Sequence, residues 1–91
     1  MTALILATRL RRLGLDFNAA CVILYIPPGG SSTPGTLAKA LRIKRSCTTR
    51  ILNRLERARL IRRRTDFHDR RCVRVELTKA GVDMRKIIDK P

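Results

Sequence analysis

Ser46, Thr49, Arg50, Asn53 and Arg57 stand at i, i+3, i+4, i+7 and i+11, so on a helix they form one polar stripe. Their groups are hydroxyls, a carboxamide and guanidiniums, all suited to hydrogen bonding outward. Arg62, Arg63 and Arg64 follow in one run, and Asp66 to Arg71 adds His68, Asp69, Arg70 and Arg71. The planar guanidinium matches phosphate and guanine edges in two-bond geometry, and a carboxamide matches adenine. This is the chemistry of recognition. Catalysis lacks its parts: there is one histidine, no nucleophile beside a base, and no convincing carboxylate dyad. Asp66 and Asp69 lie next to arginines that hold them ionised and paired, so no enzyme activity is expected. His68 has no partner at metal-ligand spacing. Cys21, Cys47 and Cys72 are far apart and form no C-x-x-C, which reads as reduced and intracellular, and no cofactor is expected.

The chain has 91 residues, with 21 Lys plus Arg against 7 Asp plus Glu, a formal net charge of +14. Between Arg42 and Glu76 there are thirteen basic residues and four acids, Glu56, Asp66, Asp69 and Glu76. Self-repulsion of this size works against compactness, and a polyanionic partner explains its retention. Only Phe17, Tyr25 and Phe67 are aromatic, which argues against base stacking on single strands. The apolar run Ala3 to Ala7 is too short to span a membrane and arginines follow it, so no membrane partner and a cytoplasmic location are expected.

The elements that must position these groups are legible as one α+β, mainly α, unit over residues 1–91. Residues 2–13 read as a short helix with Leu6, Leu10 and Leu13 on one face. Asp16 or Asn18 caps a second, largely apolar helix running to about Tyr25. Pro27 to Ser32 is a loop by composition, and no Gly-Lys-Ser/Thr follows to make it a phosphate cradle. Thr33-Pro34 starts a helix ending near Leu41. After a break, a helix from Arg45 to about Ala58 places Thr48, Ile51, Leu52 and Leu55 on its buried stripe, opposite the polar one. Two short helices with a tight turn, over about 33–58, form a helix-turn-helix. Strand-like runs Leu60–Thr65 and Arg71–Leu77 then make a two-stranded β wing over about 60–77. In the second run Cys72, Arg74 and Glu76 face one way and Val73, Val75 and Leu77 the other. Thr78 caps a last helix, Lys79 to about Asp89, with Val82 and Ile87 as its apolar contacts.

These residues resemble the MarR-type winged-helix transcriptional regulators. Thr36-Leu37-Ala38 with Leu41 and Ile43 is similar to the family's first helix-turn-helix segment, and Thr48-Thr49-Arg50 through Leu55-Glu56 to its recognition helix. Asp66 to Arg71 fits the wing motif D-x-x-D-R-R, and Leu77 to Gly81 fits L-T-x-x-G. The order and spacing agree over roughly residues 16–83. Arg59 stands where the family usually has Gly, so the turn there is expected to differ locally. Lys44 stands in place of the usual acidic or Ser cap. The stretches before Asp16 and after Gly81 are short beside the family's terminal helices, and a small-molecule effector is not expected.

The resemblance implies a sequence-specific regulator on double-stranded DNA, expected as a homodimer on a pseudo-palindromic site. Its recognition helix enters the major groove, with Arg50 on guanine, Asn53 on adenine, Ser46 and Thr49 on bases or phosphates, and Arg45, Arg54 and Arg57 on the backbone. Arg62, Arg63 and Arg64 touch phosphates at the wing base, and His68 lies at the wing tip near the backbone. One of Arg70 and Arg71 enters the minor groove, where a narrow A/T-rich tract attracts arginine, with Asp69 bracketing a neighbouring arginine. Two other readings use the same charge: a weakly specific, chromatin-like DNA binder, and a binder of structured RNA.

Overall fold

The computed structural model describes residues 11–12 and 14–89. The expected helix over 2–13 lies outside the described residues except for Arg11 and Arg12, which are helical. Four helices and one hairpin follow: α1 (Phe17–Tyr25), α2 (Pro34–Leu41), α3 (Arg45–Arg57), β1 (Ile61–Thr65), β2 (Val73–Leu77) and α4 (Lys79–Asp89). The architecture is a winged helix.

Local chemistry sets the helix starts. The Asp16 carboxylate accepts from the backbone N–H of Ala19 at 2.7 Å and caps α1. Thr33 caps α2 through Thr36 N–H, with Pro34 at the first helical position. Lys44 gives α3 no side-chain cap. One turn later the buried Thr48 hydroxyl donates to the Lys44 carbonyl at 3.1 Å, which satisfies the hydroxyl inside the core.

Both helices of the helix-turn-helix end on a left-handed arginine, Arg42 at φ 55° and Arg59 at φ 61°. Each helix closes with the paired bonds of a Schellman turn. Ile43 N–H bonds Ala38 O and Arg42 N–H bonds Lys39 O; Leu60 N–H bonds Leu55 O and Arg59 N–H bonds Glu56 O. The turn at Arg59 therefore keeps the geometry glycine would adopt, contrary to expectation. The left-handed conformation costs a residue with a Cβ about 1–2 kcal/mol. Thr78 offsets this from across the chain: its hydroxyl donates to Arg59 O at 2.6 Å, and its N–H donates to Leu60 O at 3.1 Å.

The core forms where α1 meets α2, α3 and α4, and Ile61 and Val75 of the hairpin complete it. Val22, Ile23, Ile26, Leu37, Leu52, Leu55, Ile61 and Val75 are almost fully buried, and Ile51 joins them. Each such aliphatic contributes about 1.5–3 kcal/mol by leaving water. The apolar stripe of α3 is thus spent on the core, and its other face is left to solvent.

The hairpin is antiparallel, with Ile61 opposite Leu77, Arg63 opposite Val75 and Thr65 opposite Val73. Its strands are shorter than their sequence runs. Arg71 and Cys72 belong to the turn, where Cys72 N–H bonds Asp69 O and Asp66 N–H bonds Cys72 O. Of the three residues expected on the apolar face of β2, Val75 is buried and Leu77 partly so, while Val73 is 39% exposed beyond the edge of the core. Ser32 exchanges both backbone bonds with Val75 at 2.8 and 2.9 Å, so the end of the presumed loop is a short third rung of the sheet. In α4 the inward residues are Gly81, Met84 and Ile88, and Ile87 is 42% exposed. Ile88 replaces Ile87 as the core contact because it continues the Leu77, Gly81, Met84 spacing. Among the described residues no helix is long and apolar enough to cross a membrane.

Candidate nucleic-acid interface

The outer stripe of α3 projects away from the core. Arg45, Ser46, Thr49, Arg50 and Arg57 are exposed and Asn53 is half-buried. Arg45, Arg50 and Arg57 have no ion-pair partner among the described residues. The Thr49 hydroxyl donates back to Arg45 O at 3.1 Å, which leaves its lone pairs outward. Arg54 lies apart: it pairs with Asp16 at 3.1 Å and ties α3 to the cap of α1.

The period of two along β1 separates the three wing-base arginines. Arg62 and Arg64 lie on one face and both bond Glu76, at 2.6 and 3.2 Å. Arg63 lies on the other, beside α3. Its Nη2 donates to Glu56 at 2.6 Å and to Asn53 Oδ1 at 2.7 Å, and its Nε donates to Glu56 at 3.2 Å. Hydrogen bonds from Arg63 hold the Glu56 carboxyl below the usual carboxylate range, and those from Arg62 and then Arg64 do the same for Glu76. Glu56 and Glu76 are the orienting groups that a reading by residue type missed. Their signal is cross-element charge pairing, and it needs the strand register to be known.

At the wing tip the Asp66 carboxylate accepts from His68 N–H at 2.8 Å, which lowers its pKa and fixes the turn. Asp69 accepts from Arg71 N–H at 3.0 Å and lies 3.5 Å from Arg71 Nε. Arg70 has no ion-pair partner among the described residues. His68 packs edge-on against Phe67, which is 88% exposed. Arg74, outside the expected set, bonds Ser31 Oγ at 3.0 Å.

Helix and wing frame one basic hollow. A groove of about 380 Å³ is lined by Pro34, Arg45, Thr49, Arg63 and Arg64. A neighbouring one of about 300 Å³ shares Pro34 and Arg45 and reaches Arg71. The fold therefore gathers Arg45, Thr49, Arg63, Arg64 and Arg71 around the N-terminus of α2. Ser46, Arg50, Asn53, Arg54, Arg57, Arg62, His68 and Arg70 do not line these hollows. No cluster of three or more histidine, cysteine or carboxylate side chains capable of holding a metal occurs among the described residues.

Comparison with known proteins gives a consistent result. The sequence model of the MarR family matches residues 13–71. A mutant of S. aureus MepR bound to an oligodeoxyribonucleotide is 26% identical, with a TM-score of 0.84 over 91% of this chain and 62% of that one. A mutant MarR from E. coli is 27% identical, with a TM-score of 0.85 over 92% of this chain and 62% of that one. The chain thus spans about three fifths of the length of the solved structures it matches.

Proposed function

The chain belongs to the MarR family, and from that membership we propose that it is a non-enzymatic, sequence-specific transcriptional regulator acting in the cytoplasm as a homodimer on double-stranded DNA. The observation that carries this reading is the division of labour on α3. One stripe is buried in the core, and the other leaves Ser46, Thr49 and Arg50 exposed, with Thr49 and Arg45 lining a hollow together with Arg63 and Arg64 of the wing. Support also comes from the MepR structure, which is bound to an oligodeoxyribonucleotide.

In this reading α3 lies in the major groove, where each base pair offers a distinct donor and acceptor pattern. Arg50 reads guanine and Arg45 and Arg57 hold the backbone, while Ser46 and Thr49 reach bases or phosphates. Arg62 and Arg64 face phosphates, and their shared Glu76 limits how far each can swing. The wing places Arg70 or Arg71 in the minor groove, where a narrow A/T-rich tract deepens the negative potential. His68 lies near the backbone at the tip.

Selection from a random duplex pool tests the proposal. The expected outcome is one enriched motif, pseudo-palindromic, with half-sites about one helical turn, roughly 34 Å, apart. Recovery of duplexes with no common motif would favour the weakly specific, chromatin-like reading. Preferential retention of structured RNA over duplex DNA would favour the third.

A further inference from the structure

On the outer stripe of α3, Thr49 bonds only its own helix, whereas the Asn53 side chain is held from another element by Arg63. Arginine carries only donors, so the group 2.7 Å from Arg63 Nη2 must be the carboxamide oxygen. The usual ambiguity between the oxygen and nitrogen of an asparagine is thereby removed. Arg63 is itself fixed: Glu56 accepts from its Nη2, its Nε and its backbone N–H, at 2.6, 3.2 and 3.3 Å. The chain of contacts runs Glu56, Arg63, Asn53 and joins the recognition helix to β1. What it leaves is the amide Nδ2, a double donor with no partner among the described residues.

The two-bond pairing of asparagine with adenine needs the carboxamide oxygen to accept from the adenine amino group while the nitrogen donates to N7. Here one lone pair of the oxygen is bonded to a cation, so an amino group approaching the other meets the Arg63 guanidinium, and the donors are the groups freely offered. We infer that Asn53 is a specificity-determining residue for a base with a keto oxygen in the major groove, guanine O6 or thymine O4. It meets the amino group of cytosine donor against donor, and at adenine it keeps a single bond to N7 in place of two. Arg63 is the positioning residue that sets this choice. The inference rests on the DNA-reading function proposed above, and it replaces the adenine contact that residue type alone suggests.

The test carries wild type, Asn53→Ala, Asn53→Asp and Arg63→Lys through selection from a random duplex pool, with melting curves to confirm folding. Asn53→Ala flattens one motif position, which identifies the base that Asn53 reads. At that position wild type is expected to favour guanine or thymine over adenine by about tenfold. Lysine keeps the charge opposite Glu56 but lacks the second guanidinium branch, so Arg63→Lys raises adenine there by about tenfold and leaves the rest of the motif unchanged. Asn53→Asp keeps the bond to Arg63, has no donor, and is expected to lose the keto preference in favour of cytosine.

Adenine preferred by wild type at that position would overturn the inference. So would an Asn53→Ala motif identical to wild type, an Asn53→Asp protein that retains the keto preference, or an Arg63→Lys protein that binds more weakly with its preferences intact. A wild-type pool with no motif overturns the DNA-reading function and this inference together. A wild-type motif with the variant outcomes just named overturns the inference alone.

Discussion

Replacing Arg70 and Arg71 together with alanine is expected to weaken duplex binding by roughly 2–4 kcal/mol, about 1–3 kcal/mol from the one arginine in the groove and the rest from the lost charge of its neighbour. The structure predicts little cost to folding. The Arg71 side chain is 94% exposed and makes one long contact with Asp69, and Arg70 is exposed without an ion-pair partner among the described residues. The bond that shapes the turn runs from Arg71 N–H to Asp69, and alanine retains it. Surface changes of this kind shift stability by about 0.5 kcal/mol or less. A mobility-shift titration paired with a melting curve separates the two effects. Unchanged affinity in the folded double variant would remove the wing from the interface.

Gly81→Ala is expected to unfold the protein more readily than any surface change. A Cβ at Gly81 would sit 1.9 Å from the Leu60 carbonyl oxygen and 3.0 Å from its carbon. The obstacle is backbone, and Thr78 N–H holds that same oxygen at 3.1 Å. Relief requires α4 to separate from the turn that ends the recognition helix, with loss of the bond from Thr78 Oγ1 to Arg59 O. Helix propensity alone favours alanine over glycine by about 1 kcal/mol. Forced overpacking against backbone costs about 3 kcal/mol or more and dominates. The melting temperature should fall by roughly 10 °C or more. A melting temperature equal to or above wild type would show that propensity wins and that the close approach is not tight.

The same contact shows what the sequence carries and what it leaves out. The L-T-x-x-G pattern at Leu77 to Gly81 is visible in the letters. Its reason, a helix start clamped on the recognition-helix turn, depends on Leu60 and Arg59, some twenty residues earlier. The helices were legible because their signals are local: Thr33-Pro34 starts α2, and the 3.6 period of Thr48, Ile51, Leu52 and Leu55 defines the buried side of α3. The wing strands were legible in kind, but their limits were not, because the bonds of Asp66 and Asp69 lengthen the turn at the strands' expense. The rung at Ser32 was missed because glycine, proline and serine composition says nothing of a partner at Val75.

Residue type assigned the arginines to α3 and the wing, where the structure has them, but could not distinguish one from another. Arg54 is drawn to Asp16 and Arg63 to Glu56, over sequence separations that only the fold closes. Arg59 looked unsuited to its turn because its compensation comes from Thr78, on the far side of the wing.

Competition binding is the most direct measurement of whether helix and wing read a sequence together. A labelled duplex carrying the selected motif is titrated at fixed, stated salt and challenged with unlabelled random duplex, since affinities at unmatched salt are not comparable. Base reading by α3, with a wing arginine in the minor groove, predicts that the motif is bound at least about 10³-fold more tightly than random duplex. A ratio below about a hundred would contradict it, and would leave a basic surface that holds DNA without reading it.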